Sequence, residues 1–104
     1  MSRASISLQL LPQTNIERAY EIVDLVLDMI SKEQDITYVV GPMDTVIEGE
    51  LTQLLTIVKK AIAIGEAAGC PQHFAYVKVF TDQADGDTGF LDSVRPAMER
   101  HNLK

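Results

Sequence analysis

Hydrophobic and polar residues alternate along two segments of the chain, residues 3–11 and residues 73–81. This alternation predicts two half-buried strands, each with one aliphatic side and one polar or aromatic side. The aliphatic side chains are expected to pack into a core. They are Ile6, Leu8 and Leu10 in the first strand and Ala75, Val77 and Val79 in the last.

Two longer segments repeat their apolar residues at helical spacing. The first helix is expected over about residues 16–33, after a cap at Thr14 or Asn15. The second is expected to follow a cap at Thr52 and to stop at Gly69. The apolar stripes are Ile16, Ala19, Tyr20, Val23, Val26 or Leu27, and Ile30 in the first helix, and Leu54, Leu55, Val58, Ala61, Ile62 and Gly65 in the second.

A β-rich hairpin lies between the two helices. Residues 36–41 and 44–51 are expected to be strands joined by a Gly-Pro turn. The resulting order, β-α-β-β-α-β, is typical of an α+β ferredoxin-like sandwich, in which two helices cover one face of a four-stranded antiparallel sheet. A short C-terminal helix is expected near residues 90–101. We expect residues 1–104 to form a single domain of this kind.

The sheet face turned away from the helices, called the outer face below, is predicted to be polar and aromatic. Glu48 belongs to it, because Ile47 and Leu51 have the parity of the core. For the strand at residues 36–41 the parity stays open, since side chains of both parities are apolar. The other residues assigned to the outer face are Ser5, Ser7, Gln9, Phe74, Tyr76, Lys78 and Phe80.

This outer face has two interpretations. Hydroxyls, a carboxylate, an amine and aromatic rings on one surface are typical of a small-molecule site. Exposed aromatic rings are typical of an oligomer interface, which periodicity alone favours. The two can coexist, because binding sites often form where subunits meet.

Composition and charge exclude several classes of protein. The 104 residues carry a formal net charge of −6, which disfavours binding to nucleic acid and makes phosphorylated ligands less favourable. No apolar run reaches the roughly 18 residues of a membrane span, and the N-terminus has no signal-like core. Cys70 is the single cysteine. A reducing, cytoplasmic location and no membrane association are therefore expected.

The remaining chemical groups have plain structural interpretations. Cys70 lies three residues from His73, but a lone cysteine is commonly a small buried apolar residue. Asp82, Asp85 and Asp87 lack the spacing of a calcium loop. His73 and His101 are isolated, so no metal site is predicted.

Glu48 is the residue whose role the sequence leaves most open. It is either a solvated carboxylate, a partner of Lys78, or a ligand-binding group. As a general base beside Lys78 it would make the protein an enzyme, but the sequence shows no nucleophile, metal set or cofactor motif.

The hairpin segment resembles a family of small thiamine-binding proteins. Their signature is a Tyr, then Gly or Thr before a Pro, and then a Thr-x-x-Glu-Gly run. It is matched here by Tyr38, Pro42, Thr45, Glu48 and Gly49. The resemblance extends over roughly residues 4–95.

The resemblance implies a ferredoxin-like homodimer or homotetramer that binds thiamine, or its hydroxymethylpyrimidine half, without converting it. Glu48 would then pair with the pyrimidine edge, while Thr45 and Ser7 would orient the ligand through their hydroxyls. An aromatic residue would stack on a ring or face the thiazolium cation. The candidates for that role are Tyr38, Tyr76 and Phe80. Asp44 departs from the family pattern of Gly or Asn, and its carboxylate would either alter the site or strengthen its attraction for a cation.

Overall fold

The computed structural model describes residues 3–41, 43–81 and 96–101. Its strands and helices follow the predicted order: β1 Arg3–Pro12, α1 Ile16–Ser31, β2 Thr37–Val40, β3 Thr45–Glu50, α2 Leu51–Ala67 and β4 His73–Thr81. Residues 96–101 are helical, in agreement with the last part of the predicted C-terminal helix. The acidic loop containing Asp82, Asp85 and Asp87 lies outside the described residues.

The four strands form one antiparallel sheet in the order β2-β3-β1-β4. Strands β1 and β3 lie side by side at its centre, and β2 and β4 form its edges. Ile6 of β1 pairs with Ile47 of β3 on one side and with Val79 of β4 on the other. The α+β ferredoxin-like fold predicted from the sequence is therefore confirmed.

The core lies between the sheet and the two helices, on what we call the helix face. Strands β1 and β3 contribute the predicted aliphatic residues, and Ile6 and Ile47 are at most 1% exposed. The buried residues of the helices are Ile22, Val26 and Ile30 in α1 and Leu54, Ile57, Ala61 and Gly65 in α2.

The predicted core stripe of α1 is partly wrong. Ile16 and Tyr20 are 66% and 68% exposed, whereas Ile22, which was not in the predicted stripe, is fully buried. Helix α1 is apolar on more than one side, so periodicity alone did not determine which side meets the sheet.

The helix caps show one confirmed prediction and one error. Asn15 caps α1, and its side-chain oxygen accepts from the backbone N–H of Arg18 over 2.9 Å. Glu50, rather than Thr52, caps α2, because its carboxylate accepts from the N–H of Gln53 over 3.1 Å. Helix α2 thus begins directly after β3, with no connecting loop.

Helix α2 ends where predicted, in a Schellman motif built around Gly69. Gly69 has φ of 90°, a left-handed conformation that side chains rarely adopt. Its N–H donates to the carbonyl of Glu66, and the N–H of Cys70 donates to the carbonyl of Gly65. Cys70 is 4% exposed, and its thiol donates to the carbonyl of Gln72, in agreement with a structural role.

Strand β4 lies at the edge of the sheet and is less covered than predicted. Ala75, Val77 and Val79 do have the parity of the helix face, but Val77 is half-buried and Val79 is 49% exposed. The buried residues of α2 pack mainly on the central strands, which explains why the edge strand keeps both sides accessible.

Candidate functional site

The residues of the outer face form regular rows across the sheet. One row runs from Thr37 through Glu48 and Ser5 to Phe80. The next row runs from Val39 through Val46 and Ser7 to Lys78. The outer-face positions predicted for the first, third and fourth strands are therefore confirmed by the register.

A buried hydrogen bond links the two central strands in the first row. The hydroxyl of Ser5 donates to Oε2 of Glu48 over 2.5 Å. Both residues are buried, with exposed fractions of 4% and 2%. A carboxylate in such a position requires hydrogen-bonded partners, and Ser5 is one of them. The sequence pattern assigned Ser5 to this face but not to the candidate site, and its position directly opposite Glu48 became known only from the strand register.

A concavity of about 450 Å³ lies on the outer face beside this hydrogen bond. Its volume falls within the usual range for small-molecule sites. Ser5 and Ser7 contribute hydroxyls, and Asp44 and Lys78 contribute opposite charges. Phe80 supplies an aromatic wall. The lining residues are Ser5, Ile6, Ser7, Asp44, Val46, Lys78, Val79 and Phe80.

Glu48 reaches this concavity through Ser5 and is not itself among its lining residues. The interpretation of Glu48 as a solvated surface carboxylate is wrong, because the residue is 2% exposed. The alternative of a Glu48–Lys78 ion pair also fails within the described part of the chain. The ion pairs found there are Arg18–Glu21, Lys32–Asp28 and Lys60–Glu33.

The aromatic residues of β4 extend the outer face away from the concavity. Phe74 and Tyr76 have stacked rings with centroids 6.4 Å apart. They are 57% and 56% exposed, and Phe80 is 46% exposed. Together the three rings present an accessible apolar strip along one edge of the sheet.

A family model described as thiamine-binding protein matches residues 6–95. This chain belongs to the thiamine-binding protein family. A curated relative, the UPF0045 protein CPE1503 of Clostridium perfringens (strain 13 / Type A), is 44% identical over 71 residues. That match covers 66% of this chain and 74% of the relative.

Solved structures of similar proteins share the fold. Protein SP2199 of Streptococcus pneumoniae is 31% identical with a TM-score of 0.72, over 84% of this chain and 93% of that one. A DUF77 domain of unknown function from Bacillus cereus is 29% identical with a TM-score of 0.78, over 90% and 89%. TM0486 of Thermotoga maritima, a proposed thiamine biosynthesis/salvage protein, is 23% identical with a TM-score of 0.76, over 91% and 98%.

The hairpin that carries the thiamine-binding family signature places its residues on two different faces. Glu48 lies on the outer face, whereas Thr45 pairs with Leu8 and Tyr38 pairs with Ile47, which puts both on the helix face. Thr45 is 8% exposed and Tyr38 is 38% exposed. The structure therefore does not bring Thr45 or Tyr38 together with Glu48.

Thr45 borders a second, separate cavity. It is a groove of about 440 Å³ between α1 and the β2–β3 turn, lined mainly by apolar side chains such as Tyr20, Val23 and Met43. Asp44, the departure from the family pattern, borders both this groove and the outer-face concavity. Its carbonyl accepts from the N–H of Gly41 over 2.8 Å, which closes the turn.

Two further features bear on the class of site. The described residues contain no group of three or more His, Cys, Asp and Glu side chains arranged to hold a metal ion. Within the same residues, no helix has both the length and the apolar character needed to cross a membrane.

Proposed function

We propose that this protein binds thiamine, or its hydroxymethylpyrimidine half, on the outer face of the sheet and releases it unchanged. The observation that carries the proposal is the buried Ser5–Glu48 hydrogen bond beside the outer-face concavity, in a chain that belongs to the thiamine-binding protein family. The name of the Thermotoga maritima protein, with its reference to thiamine biosynthesis and salvage, agrees with such a role.

The chemistry of the concavity is suited to this ligand. Thiamine carries a cationic thiazolium ring, which Asp44 attracts, and the face of Phe80 offers a stacking surface for the other ring. The aminopyrimidine ring has donors and acceptors that the hydroxyls of Ser5 and Ser7 match. Tyr76 lies in the row next to Ser7 and Lys78, outside the lining residues of the concavity, and offers a second ring for stacking beside it. Thr45 and Tyr38 are not part of this proposed site.

Glu48 has an indirect role in this proposal. Its carboxylate fixes the hydroxyl of Ser5, so that the Ser5 oxygen presents its lone pairs toward the concavity. A ligand donor that reaches Ser5 is then bonded within a chain that ends in a negative charge, which strengthens the bond. A general base, by contrast, must reach the proton that it removes, and Glu48 lies behind Ser5. Binding without conversion is therefore the better interpretation.

The aromatic strip of β4 supports assembly as a homodimer or homotetramer. Phe74, Tyr76 and Phe80 are all about half exposed, and apolar surfaces of this kind commonly mark protein contacts. Since the strip continues into the concavity at Phe80, a second protomer placed against it would also help to enclose the ligand.

Calorimetric titration with thiamine tests the proposal. The wild type should bind, and Glu48→Gln should bind about tenfold more weakly, because the charge that reinforces Ser5 is lost. Glu66→Gln, which removes an exposed carboxylate on α2, is the matched control and should bind like the wild type. If the wild type shows no heat of binding with thiamine at millimolar concentration, the proposal fails.

A pure assembly module is the second candidate function. The exposed Phe74–Tyr76 stack favours it, since the stack lies outside the concavity and needs no ligand. Sedimentation equilibrium of the wild type and of Phe74→Ser with and without thiamine separates the two functions. A module that only assembles would show a mass change in Phe74→Ser and no effect of thiamine on the wild type.

A further inference from the structure

The outer-face concavity is electrically polarised from one end to the other. Among its described lining residues, Asp44 carries a negative charge and Lys78 a positive one. Lys78 lies opposite Ser7, and Ser7 lies opposite Val46. Because neighbouring strands are about 5 Å apart, the backbone of Lys78 is about 10 Å from that of Val46. Asp44 directly precedes β3, two residues before Val46, so its backbone lies across the concavity from that of Lys78.

Lys78 is available to a ligand. It takes part in none of the ion pairs found among the described residues, and the two nearby outer-face carboxylates, Asp44 and Glu48, both lie two strands away, on either side of its row. Ser7, its cross-strand neighbour, is half-buried and lines the same concavity. An ammonium group beside a hydroxyl offers several donors to one anionic group.

This polarity restricts how a thiamine-like cation is bound. A thiazolium beside Lys78 would be repelled, whereas beside Asp44 it is attracted. Unphosphorylated thiamine has no anionic group, so it has no group that pairs favourably with the Lys78 ammonium. A phosphate ester on the hydroxyethyl arm supplies one, and it is carried by the same thiazolium ring that Asp44 attracts.

We infer that Lys78 and Ser7 form a subsite for a phosphate monoester, and that the preferred ligand is a phosphorylated form of thiamine. The inference rests on the proposed function and names its ligand class more closely. The net charge of −6 led to the expectation that phosphorylated ligands are less favourable. This expectation does not hold at the subsite, because salt screens charges beyond about 8 Å at physiological ionic strength. The local ammonium then outweighs carboxylates on distant parts of the surface.

Competitive calorimetry with thiamine, thiamine monophosphate and inorganic phosphate tests this subsite. The wild type should bind thiamine monophosphate about tenfold more tightly than thiamine, and that ratio should shrink as salt is raised. Lys78→Met should bring the ratio close to one. Lys78→Arg should retain most of the preference, and Lys59→Met, on the exposed side of α2, should leave it unchanged.

The outcomes separate the two proposals. Equal affinities for thiamine and its monophosphate in the wild type would overturn the subsite while leaving the proposed function intact. A preference that survives in Lys78→Met would also overturn it, since the phosphate would then be held elsewhere. Binding of inorganic phosphate as tightly as thiamine monophosphate would show an anion site unconnected with thiamine. Failure to bind either thiamine compound would overturn both proposals.

Discussion

The two faces of the sheet bury their residues for different reasons, and adjacent residues of β3 show the contrast. Ile47 and Glu48 are 0% and 2% exposed, but their side chains point to opposite faces. Ile47 is packed among aliphatic residues of both helices and β1. Glu48 is held by a hydroxyl. Burial on the helix face is therefore stabilising by itself, whereas burial on the outer face depends on a specific hydrogen bond.

The largest loss of stability should come from truncating a buried side chain on the helix face. Ile47→Ala leaves a cavity in the core and should lower the free energy of unfolding by about 2–5 kcal/mol. Val46→Ala removes a half-buried side chain of the outer face and should cost less than about 1 kcal/mol. Urea denaturation of both variants measures the difference. Equal losses of unfolding free energy in the two variants would contradict this difference between the faces.

An added side chain on the helix face should also destabilise the fold where α2 meets β4. A methyl group at Gly65 would overlap the imidazole of His73, whose Nε2 is buried. Gly65→Ala should therefore cost about 1–3 kcal/mol. Combining it with His73→Ala should remove most of that added loss, because the two residues are in direct contact. A double-mutant cycle of unfolding free energies checks this, and additive losses would contradict it.

On the outer face, removing the hydroxyl of Ser5 should destabilise the fold more than the small size of this group indicates. Ser5→Ala deprives the buried Glu48 of a donor and should cost about 1–3 kcal/mol. Ser7→Ala, in the neighbouring row, has no hydrogen bond of this kind within the described residues and serves as the control. Thermal and urea denaturation of both variants measure the effect. A Ser5→Ala loss no greater than that of Ser7→Ala would show that the hydrogen bond contributes little.

The smallest effect should come from an ion pair outside both faces. Lys60 donates to Glu33 over 2.6 Å and holds the pKa of that carboxyl below its ordinary value of 4.5. Its stabilisation is complete above pH 4.5 and is lost as pH falls through the lowered pKa. Lys60 is half exposed, so Lys60→Met should cost at most about 0.5 kcal/mol at pH 7.

The measurement for this ion pair is urea denaturation at pH 7 and at a series of pH values below 4.5. The gap between the wild type and Lys60→Met should narrow at the lower pH values, because protonated Glu33 no longer pairs with the ammonium. A gap that stays constant would mean that Lys60 acts through packing of its methylene groups instead.

The sequence predicted the fold because several signals agree. The alternation in β1 and β4, the helical spacing of apolar residues in two segments and the Gly69 stop each indicate one kind of element. The second strand had no such signal, since Tyr38, Val39 and Val40 are apolar at both parities. The placement of Tyr38 on the helix face therefore required the observed register. Similarly, α2 begins without a loop, so Glu50 is both the last residue of β3 and the cap of the helix.

The candidate site was only partly predictable, because it depends on which residues meet across strands. Glu48 and Ser7 could be assigned to one face from parity alone. Placing Ser5 against Glu48 required the pairing of strands that are 43 residues apart in the chain. Thr45 became a candidate through the family signature, although its parity already pointed to the helix face. Parity was the more reliable guide to where these side chains lie.

The Ser5–Glu48 hydrogen bond has a consequence for how the central strands find their alignment during folding. Strands rich in aliphatic residues can pair in more than one register, and a shift of one residue turns every side chain to the opposite face. Such a shift of β3 would drive the Glu48 carboxylate in among Ile6 and Leu54 and turn Ile47 outward. A single charged residue thus makes the misaligned sheet costly, and the chain is directed toward one pairing of β1 with β3.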